Sequence, residues 1–428
     1  MNIESLHSMI LPEGPAYRSD LKKIKLATLK ASLVLNLLLA LFVVDVTPVN
    51  AQPLLQTGGK KMPDEWIDQD TRHKVVRLSR KEGRNASFYF HNNPFIGNRM
   101  VFYSTDQRGK QIYTVDLGTY KIEQVTNQSS PMTGEIVGPK TQNVYYQVKD
   151  SVFSTNIDTK ETKLLFVFPA DYQGSISTIN AGETLFAGAK ASEEQKEIAR
   201  KYPEKSQFFN RIFDAKLPND LFTIDIKNKV LKKIHTENTW LGHVQFSPAD
   251  PELLMFCHEG PWHKVDRIWT YNVDTKEVKP MHKRTMDMEI AGHEWFAPDG
   301  KTIWFDLQTP RSVKFFVAGT DVSTLKQKRY ELQRDEWSIH FNISNNQQLF
   351  CGDGGDPGQV AKARNGMWIY LFTPAGEKFR SERLVNMKHQ GYKLEPNVHF
   401  SPDDKWIIFR ANFEGEEQVY AVEVQPSR

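Results

Sequence analysis

From about residue 90 onward, short apolar runs alternate with turns rich in Ser, Pro, Asp, Asn and Gly. The clearest copies open on an aromatic residue followed by a Pro-containing turn, at Phe246–Phe256, Phe296–Phe305 and Phe400–Phe409. In the fullest copies a second apolar run follows after a short gap, next to a hairpin rich in Asp or Thr. Short apolar runs bounded by turn residues predict β-strands rather than helices.

The repeated unit predicts an all-β, seven-bladed β-propeller. Weaker copies occupy residues 98–116, 140–159, 180–228 and 342–372, and the units are spaced by roughly 40 to 60 residues. Several short strands repeated at such a period are typical of propellers, whose blades are four-stranded sheets that bury their faces against each other. We therefore expect a single propeller domain over residues 76–428, after an irregular lead-in over residues 52–75.

Two local features modify this pattern. The stretch Ala191–Tyr202 has the residues of a helix and interrupts the third unit, so we expect a helical insertion there. An early strand should close the ring by completing the last blade, and the two candidates for it are Lys74–Leu78 and Ser87–Phe90.

The N-terminus predicts export. Four lysines between residues 22 and 30 precede the apolar run Ala31–Val44, and the small residues Val49-Asn50-Ala51 follow. This order describes a secretory signal peptide over residues 1–51, and the run is shorter than the about 20 apolar residues of a membrane span. We expect cleavage after Ala51 and a periplasmic location with no stable membrane insertion. Retention of the segment as an anchor is the alternative.

Composition excludes some classes of protein. The formal net charge is only +3, so the chain lacks the concentrated positive charge of a nucleic-acid-binding protein. Its two cysteines, Cys257 and Cys351, lie far apart in sequence and form no disulfide framework, so we expect two buried free thiols.

Candidate chemistry concentrates in two stretches, Leu254–Trp269 and Ala291–Phe296. Within 36 residues they place His258, His263, His293 and Arg267 at the ends of predicted strands, beside a Gly-Pro break. Proton-transferring and charged groups on loops that a rigid scaffold holds are typical of catalytic sites. Ordinary loop histidines are the alternative for any one of them.

The segments Cys257–Trp269, Gly292–Gly300, Trp337–Ser344 and Cys351–Gly354 resemble, in that order, motifs of the oligogalacturonate lyase family. The order His-Glu-Gly-Pro followed by Gly-His-Glu is fairly specific, and the resemblance covers most of the chain after the signal segment. It implies a seven-bladed propeller that cleaves short galacturonides by β-elimination. It also implies a histidine base and a manganese ion held by histidines and a glutamine. Family members are typically intracellular, so the export signal is a departure.

The resemblance implies roles for individual residues. His293 matches the base, Arg267 matches an arginine on the substrate side, and His263 or His258 matches a nearby histidine that would assist the leaving oxygen. Trp262 and Glu294, from the same motifs, are expected to contact the substrate. Alternatively, Arg267 forms a structural ion pair and the histidines cap turns or lie in the core.

The metal ligands are where the chain departs further from the family. His340 matches one metal-binding histidine, but Glu395 and Asn397 stand where the family has a His-Pro-His run. Glu and Asn oxygens suit Mn²⁺ or Ca²⁺. We expect a divalent metal, with Mn²⁺ first, and Ca²⁺ or no metal as the alternatives.

The residues and the family resemblance together predict a polysaccharide lyase acting on acidic, pectin-derived oligosaccharides. Elimination requires a base for the proton beside the carboxylate and a cation that offsets the carboxylate charge. Imidazole and guanidinium with a metal are suited to these tasks. Two alternatives stay open: a related propeller enzyme acting on another uronide or glycoside, and a non-catalytic periplasmic scaffold.

Overall fold

The computed structural model describes residues 52–358 and 365–426, and the predicted signal segment lies outside these ranges. The described residues form 31 strands, two α-helices and two short 3-10 helices. The first sixteen strands are, in order, Leu54–Leu55, Glu65–Asp68, Lys74–Arg77, Asn85–Ala86, Phe95–Ile96, Arg99–Asp106, Gly109–Asp116, Ile122–Gln124, Thr133–Gly138, Asn143–Val148, Ser151–Asn156, Thr162–Val167, Ser175–Ile179, Leu185–Ala191, Asn219–Asp225 and Val230–Glu237 (β1 to β16).

The remaining strands, β17 to β31, are Leu241–Phe246, Leu253–His258, Ile268–Asn272, Val278–Pro280, Ile290–Phe296, Thr302–Gln308, Phe315–Asp321, Gln327–Leu332, Phe341–Ile343, Phe350–Gly352, Trp368–Ala375, Lys378–Asn386, His399–Phe400, Trp406–Ala411 and Gln418–Glu423. The helices are α1 (Glu193–Lys201) and α2 (Lys205–Ala215), and the 3-10 helices are Trp262–Lys264 and Arg334–Glu336.

In the described part of the chain, the strands form seven antiparallel four-stranded units in chain order. Four separate sheets are β4-β6-β7-β8 (with β5 on β6), β9 to β12, β13 to β16 and β17 to β20. An eight-stranded sheet contains two further units, β21 to β24 and β25 to β28, joined only by the parallel pair Glu331 and Lys378. The seventh unit is β29-β30-β31-β3, which β2 and β1 extend to six strands. This arrangement confirms the all-β fold and is compatible with the predicted seven blades.

The ring is closed by the first of the two predicted segments. In β3, Val75 and Val76 pair with Val422 and Ala421 of β31. The other candidate, residues 87–90, is not a strand. Residues 52–75 are not an irregular lead-in as expected, because β1 and β2 continue the closing sheet. Trp66 of β2 has no exposed surface, and its burial in the last unit accounts for the added strands.

The predicted helix is confirmed as α1, which interrupts the third unit between β14 and β15. It begins where the Ser192 side chain accepts a hydrogen bond from the Gln195 N–H, the usual N-cap arrangement. Helix α2 follows it and was not predicted. The α2 rings of Phe208 and Phe209 meet Trp240 edge-on, so a tertiary contact stabilises this aromatic helix.

First strands of neighbouring units contact one another, as in the pairs β9 and β13, β13 and β17, and β25 and β29. They therefore line the centre of the ring, and the apolar clusters fill the spaces between units. Cys257 and Cys351 are buried and free, as expected. None of the helices in the described residues has the length and apolar character needed to cross a bilayer.

The closing strand should be required for folding. We expect a variant that lacks residues 1–78 to lose its single cooperative melting transition in calorimetry, because β31 would keep an unpaired edge and an exposed apolar face. A variant that begins at Pro53 retains β1 to β3 and is the matched control. A cooperative transition at the same temperature in both variants would contradict closure by β3.

Candidate active site

Two neighbouring units have the same irregularity in their first strand. The pairing of β17 with β18 shifts between Gly242 and Gln245, and the pairing of β21 with β22 shifts between Gly292 and Trp295. Such β-bulges re-aim one side chain and are frequent beside active sites.

The residue at each bulge has a left-handed backbone: φ is 48° at His243 and 47° at His293. Asn397, just before the first strand of the last unit, is a third case with φ 54°. Non-glycine residues rarely adopt this conformation, and where they do it often serves a functional site.

His293 is held by a carboxylate from the next strand of its own unit. Its Nδ1 lies 2.9 Å from Oδ1 of Asp306, whose side chain has no exposed surface. Burial alone would lower the pKa of His293, but the charge of Asp306 and its hydrogen bond, with the charge of Glu395, raise this pKa above its ordinary value. Because Nδ1 is engaged, Nε2 is the nitrogen available for chemistry.

Arg267 is buried between two carboxylates. Its Nε lies 3.0 Å from Glu294, and its Nη1 and Nη2 lie 2.9 Å and 3.3 Å from Glu259. The Arg267 side chain is only 2% exposed. Burial by itself would raise the pKa of Glu294, but Arg267 holds this pKa at about 2. The ion-pair alternative is thus observed for Glu259, whereas binding of a substrate carboxylate by Arg267 stays a prediction.

His243 lies over this ion pair. Its Nε2 is 3.4 Å from Glu259 and its Nδ1 is 3.5 Å from Glu294. Burial lowers the pKa of His243 despite these two carboxylates. His243 was not among the residues predicted from the sequence.

His340 packs against His293. The two rings meet edge-on with centroids 4.8 Å apart, and Phe90 stacks on His340 at 4.7 Å. His340 Nδ1 lies 2.8 Å from Asp353 Oδ2, and its Nε2 lies 3.2 Å from the hydroxyl of Tyr89. Tyr89 was not predicted either.

The three predicted metal ligands differ in whether their side chains are available to bind a cation. One Glu395 oxygen lies 3.7 Å from His340 Nε2, and its side chain is 42% exposed. The Asn397 side chain is committed to the backbone, because it accepts from the Phe90 N–H and donates to the Glu395 carbonyl. No group of three or more His, Cys, Asp or Glu within residues 52–358 and 365–426 is arranged to hold a metal ion. His340 Nε2 and one Glu395 oxygen, 3.7 Å apart, are therefore the two candidate protein donors for a cation here.

The other predicted histidines lie in different surroundings. His258 stacks on Trp269, and its Nε2 lies 2.8 Å from Glu237. Glu237 also contacts His235 at 2.6 Å, which makes this a separate His-Glu-His cluster. His263 is in a 3-10 helix, half-buried, and its carbonyl accepts from the Arg284 side chain. Their predicted catalytic roles stay predictions.

Trp262 packs against residues of the site, whereas Glu294 is fully buried. The Trp262 ring meets His293 edge-on at 5.4 Å and lies 5.4 Å from the Arg267 guanidinium carbon. Glu294 has no exposed surface, so here it holds Arg267 rather than facing solvent. The structure therefore favours Trp262 over Glu294 for direct contact with a sugar.

One sequence signal could have revealed His243. Gly242-His243-Val244-Gln245-Phe246-Ser247-Pro248 repeats the pattern of Gly292-His293-Glu294-Trp295-Phe296-Ala297-Pro298, with histidine three positions before phenylalanine. The same position before Phe400-Ser401-Pro402 is Asn397. Asp306 and Tyr89 have no comparable signal, because only the fold brings them to the histidines.

Fold and site together define an all-β propeller with a buried histidine-carboxylate pair at its centre. A family model described as oligogalacturonate lyase matches residues 57–428. The chain belongs to the oligogalacturonate lyase family. This membership confirms the predicted family and the predicted enzyme class, a lyase acting on oligogalacturonides.

Individual relatives agree with this assignment. The chain is 25% identical to an oligogalacturonate lyase of Dickeya dadantii and 24% identical to an oligogalacturonide lyase of Pectobacterium atrosepticum. Each match covers 86% of this chain and 98% of the relative. A solved structure of oligogalacturonate lyase in complex with manganese is similar at a TM-score of 0.73, with 23% identity over 86% of this chain and 99% of that one. A Vibrio parahaemolyticus oligogalacturonate lyase gives 0.72, with 20% identity over 84% and 96%.

The ion pair at Arg267 should contribute to stability. We expect Arg267→Met to lower the free energy of unfolding by about 3–5 kcal/mol, because it leaves the buried Glu294 charge without its partner. Urea unfolding followed by circular dichroism measures this.

Adding Glu259→Gln and Glu294→Gln should restore much of the loss, since no buried charge then lacks a partner. The matched control is Arg99→Met, which breaks an exposed pair with Asp158 and should cost less than about 1 kcal/mol. Equal unfolding midpoints for Arg267→Met and the unmodified protein would refute this role.

Proposed function

We propose that this family member cleaves pectin-derived oligogalacturonides by β-elimination, with His293 as the base. The observation that carries the proposal is the pairing of His293 Nδ1 with the buried Asp306 at 2.9 Å. The left-handed bulge at His293 directs the ring toward its cluster of aromatic and charged neighbours. A base needs a fixed ring orientation and one free nitrogen, and this arrangement supplies both.

The reaction explains why the base needs support. The hydrogen at C5 of a galacturonide is weakly acidic, and it becomes more acidic when the adjacent carboxylate charge is offset. His293 Nε2 removes this proton, and Asp306 stabilises the imidazolium that forms. The C5–H electron pair forms the C4–C5 double bond while the bond from C4 to the bridging oxygen breaks. The oxygen keeps the electron pair of that bond and takes a proton from water, which gives the hydroxyl of the released sugar. The product has a 4,5-unsaturated sugar at its new non-reducing end.

The positive charge that offsets the substrate carboxylate would come from a cation bound beside His293. We assign His340 Nε2 and Glu395 as the protein donors for a divalent cation, Mn²⁺ first. Hard cations are often held by one or two protein groups, with substrate oxygens and water in the remaining positions. When bound, the cation would offset the carboxylate charge. Arg267 is the second candidate, although Glu259 and Glu294 together outweigh its single charge.

We also propose that the protein is exported to the periplasm. The lysines before Ala31–Val44 and the small residues ending at Ala51 support a cleaved signal peptide and a periplasmic enzyme.

The base assignment predicts a specific loss of activity. With oligogalacturonides as substrate, His293→Ala should abolish the ultraviolet absorbance of the unsaturated product. Asp306→Asn should lower kcat by about 10- to 100-fold with little change in KM, since it removes the charge that orients and stabilises the ring.

Asp299→Asn, at a half-buried turn residue, is the matched control and should retain full activity. Full activity in His293→Ala would show that the base lies elsewhere.

The metal assignment can be tested by binding as well as by activity. In calorimetry with Mn²⁺, His340→Ala and Glu395→Gln should weaken binding by at least about 10-fold, since loss of a direct ligand should cost no less than loss of an outer-shell partner. Asn397→Gly should stay within about 3-fold, because glycine tolerates the φ of 54° at this position. Unchanged Mn²⁺ affinity in His340→Ala, with activity insensitive to chelator, would refute the site.

A further inference from the structure

The helical insertion of the third unit lies beside the candidate active site. The ring of Phe213, in α2, packs directly on Gly260, where an added Cβ atom would lie 2.5 Å from the Cδ2 of this ring. Gly260 follows Glu259, one of the two carboxylates of the buried ion pair. Two residues beyond Gly260 stands Trp262, whose ring meets His293 edge-on. The insertion therefore contacts the same loop that carries residues of the site.

One face of α2 makes this contact. Residues three or four positions apart share a face of a helix, and this face consists of Lys205, Phe208, Phe209, Ile212, Phe213 and, at the C-cap, Lys216. Its phenylalanines contact Trp240 and Gly260, and its isoleucine is buried. The apolar middle of this face is thus covered by the protein itself, and a lysine stands at each end of it.

The ammonium of Lys216 has a defined place. Its nitrogen lies 3.7 Å from the centroid of the Phe213 ring, and the side chain is exposed. It forms no ion pair with any carboxylate in the part of the chain that the structure describes. An ammonium on the face of an aromatic ring keeps N–H donors for a further partner. Lys216 is therefore a held cation that is free to bind an anion.

Other cations near the site differ from Lys216. Arg267 is enclosed by two carboxylates, and Arg284 lies 3.4 Å from Asp266. The ammonium of Lys264, two residues beyond Trp262, is exposed and has no partner among the described residues, so nothing fixes its position. Lys216 combines an unpaired charge with a fixed position.

The substrate class explains what such a cation can bind. Each residue of an oligogalacturonide carries a carboxylate, and β-elimination uses only the carboxylate of the residue that loses its C5 hydrogen. In a longer substrate, further residues extend away from the cleaved bond, each with its own negative charge. An unpaired ammonium beside the site is complementary to one of these charges.

We propose that Lys216 binds the carboxylate of a galacturonate residue beyond the two that flank the cleaved bond. The inference rests on the proposed function and adds an outer subsite to it. The insertion then favours oligogalacturonides longer than the disaccharide, and Phe213 is the positioning residue that holds the ammonium. Because the ammonium is exposed, the attraction is modest and is weakened by salt.

The test measures chain-length preference in the full-length protein. We expect Lys216→Met to lower the ratio of kcat/KM on tetragalacturonate to kcat/KM on digalacturonate by about 5-fold, the upper limit for an exposed ion pair. Methionine keeps an unbranched side chain at this position and removes the charge. The matched control is Lys328→Met, which removes an exposed ammonium 4.9 Å from the Trp304 ring centroid in the outer strand β24 and should leave the ratio unchanged.

Binding provides an independent measurement. In the His293→Ala background, which we expect to be inactive, calorimetry gives the Kd of tetragalacturonate with and without Lys216→Met. The substitution should weaken this Kd by about 5-fold at low ionic strength. In about 1 M NaCl the difference should disappear, since salt at that concentration screens exposed charges beyond about 3 Å.

Either an unchanged ratio or an unchanged Kd in Lys216→Met would overturn the proposal. Equal falls in kcat/KM on the two substrates would also overturn it, because an outer subsite does not contact the disaccharide. If Lys264→Met produced the losses and Lys216→Met did not, the cation of the subsite would lie on the 3-10 helix instead. A protein that forms no unsaturated product from either substrate would refute the proposed function, and the Kd of tetragalacturonate would still decide the subsite.

Discussion

The site depends on one buried interaction, the guanidinium of Arg267 between Glu259 and Glu294. Arg267 and Glu259 belong to the fourth unit, and Glu294 belongs to the first strand of the fifth. With so little of Arg267 exposed, separation of the pair would leave a charge in an apolar surrounding, at a cost of several kcal/mol. The two units are therefore held together at the centre of the ring, where His243 lies beside these carboxylates.

Two adjacent units use the same backbone device to present a histidine. The bulge turns His243 and His293 away from the regular alternation of the strand, and a left-handed residue bears the strain. The partners then differ. His243 faces the carboxylates of Glu259 and Glu294, whose charge Arg267 partly neutralises. His293 is instead paired with Asp306. The repeat thus produces one histidine whose pKa is lowered and one whose pKa is raised, and the second is the one that we propose as the base.

The last unit shows how the site accommodates a departure from the family pattern. Asn397 keeps the left-handed position at which the two histidines stand in other units, but its amide serves the backbone of residues 90 and 395. Glu395 faces His340 instead, with an exposed carboxylate. The proposed donor set, His340 and Glu395, is consequently smaller and more oxygen-rich than the family motif implies.

The sequence by itself determined the strand repeat, the helix α1 and the prominence of His293 and Arg267, and it narrowed the closing segment to two candidates, of which the structure selects β3. Alternation and turn residues are local signals, and they suffice for elements whose apolar faces are regular. It could not determine α2 or the strands of residues 52–75, whose stability comes from contacts with Trp240 and with the last unit. Nor could it determine which charges meet. Asp306, His243 and Tyr89 reach the site only because the ring brings several units and one connecting segment together, and burial there decides which groups are paired and which keep a proton.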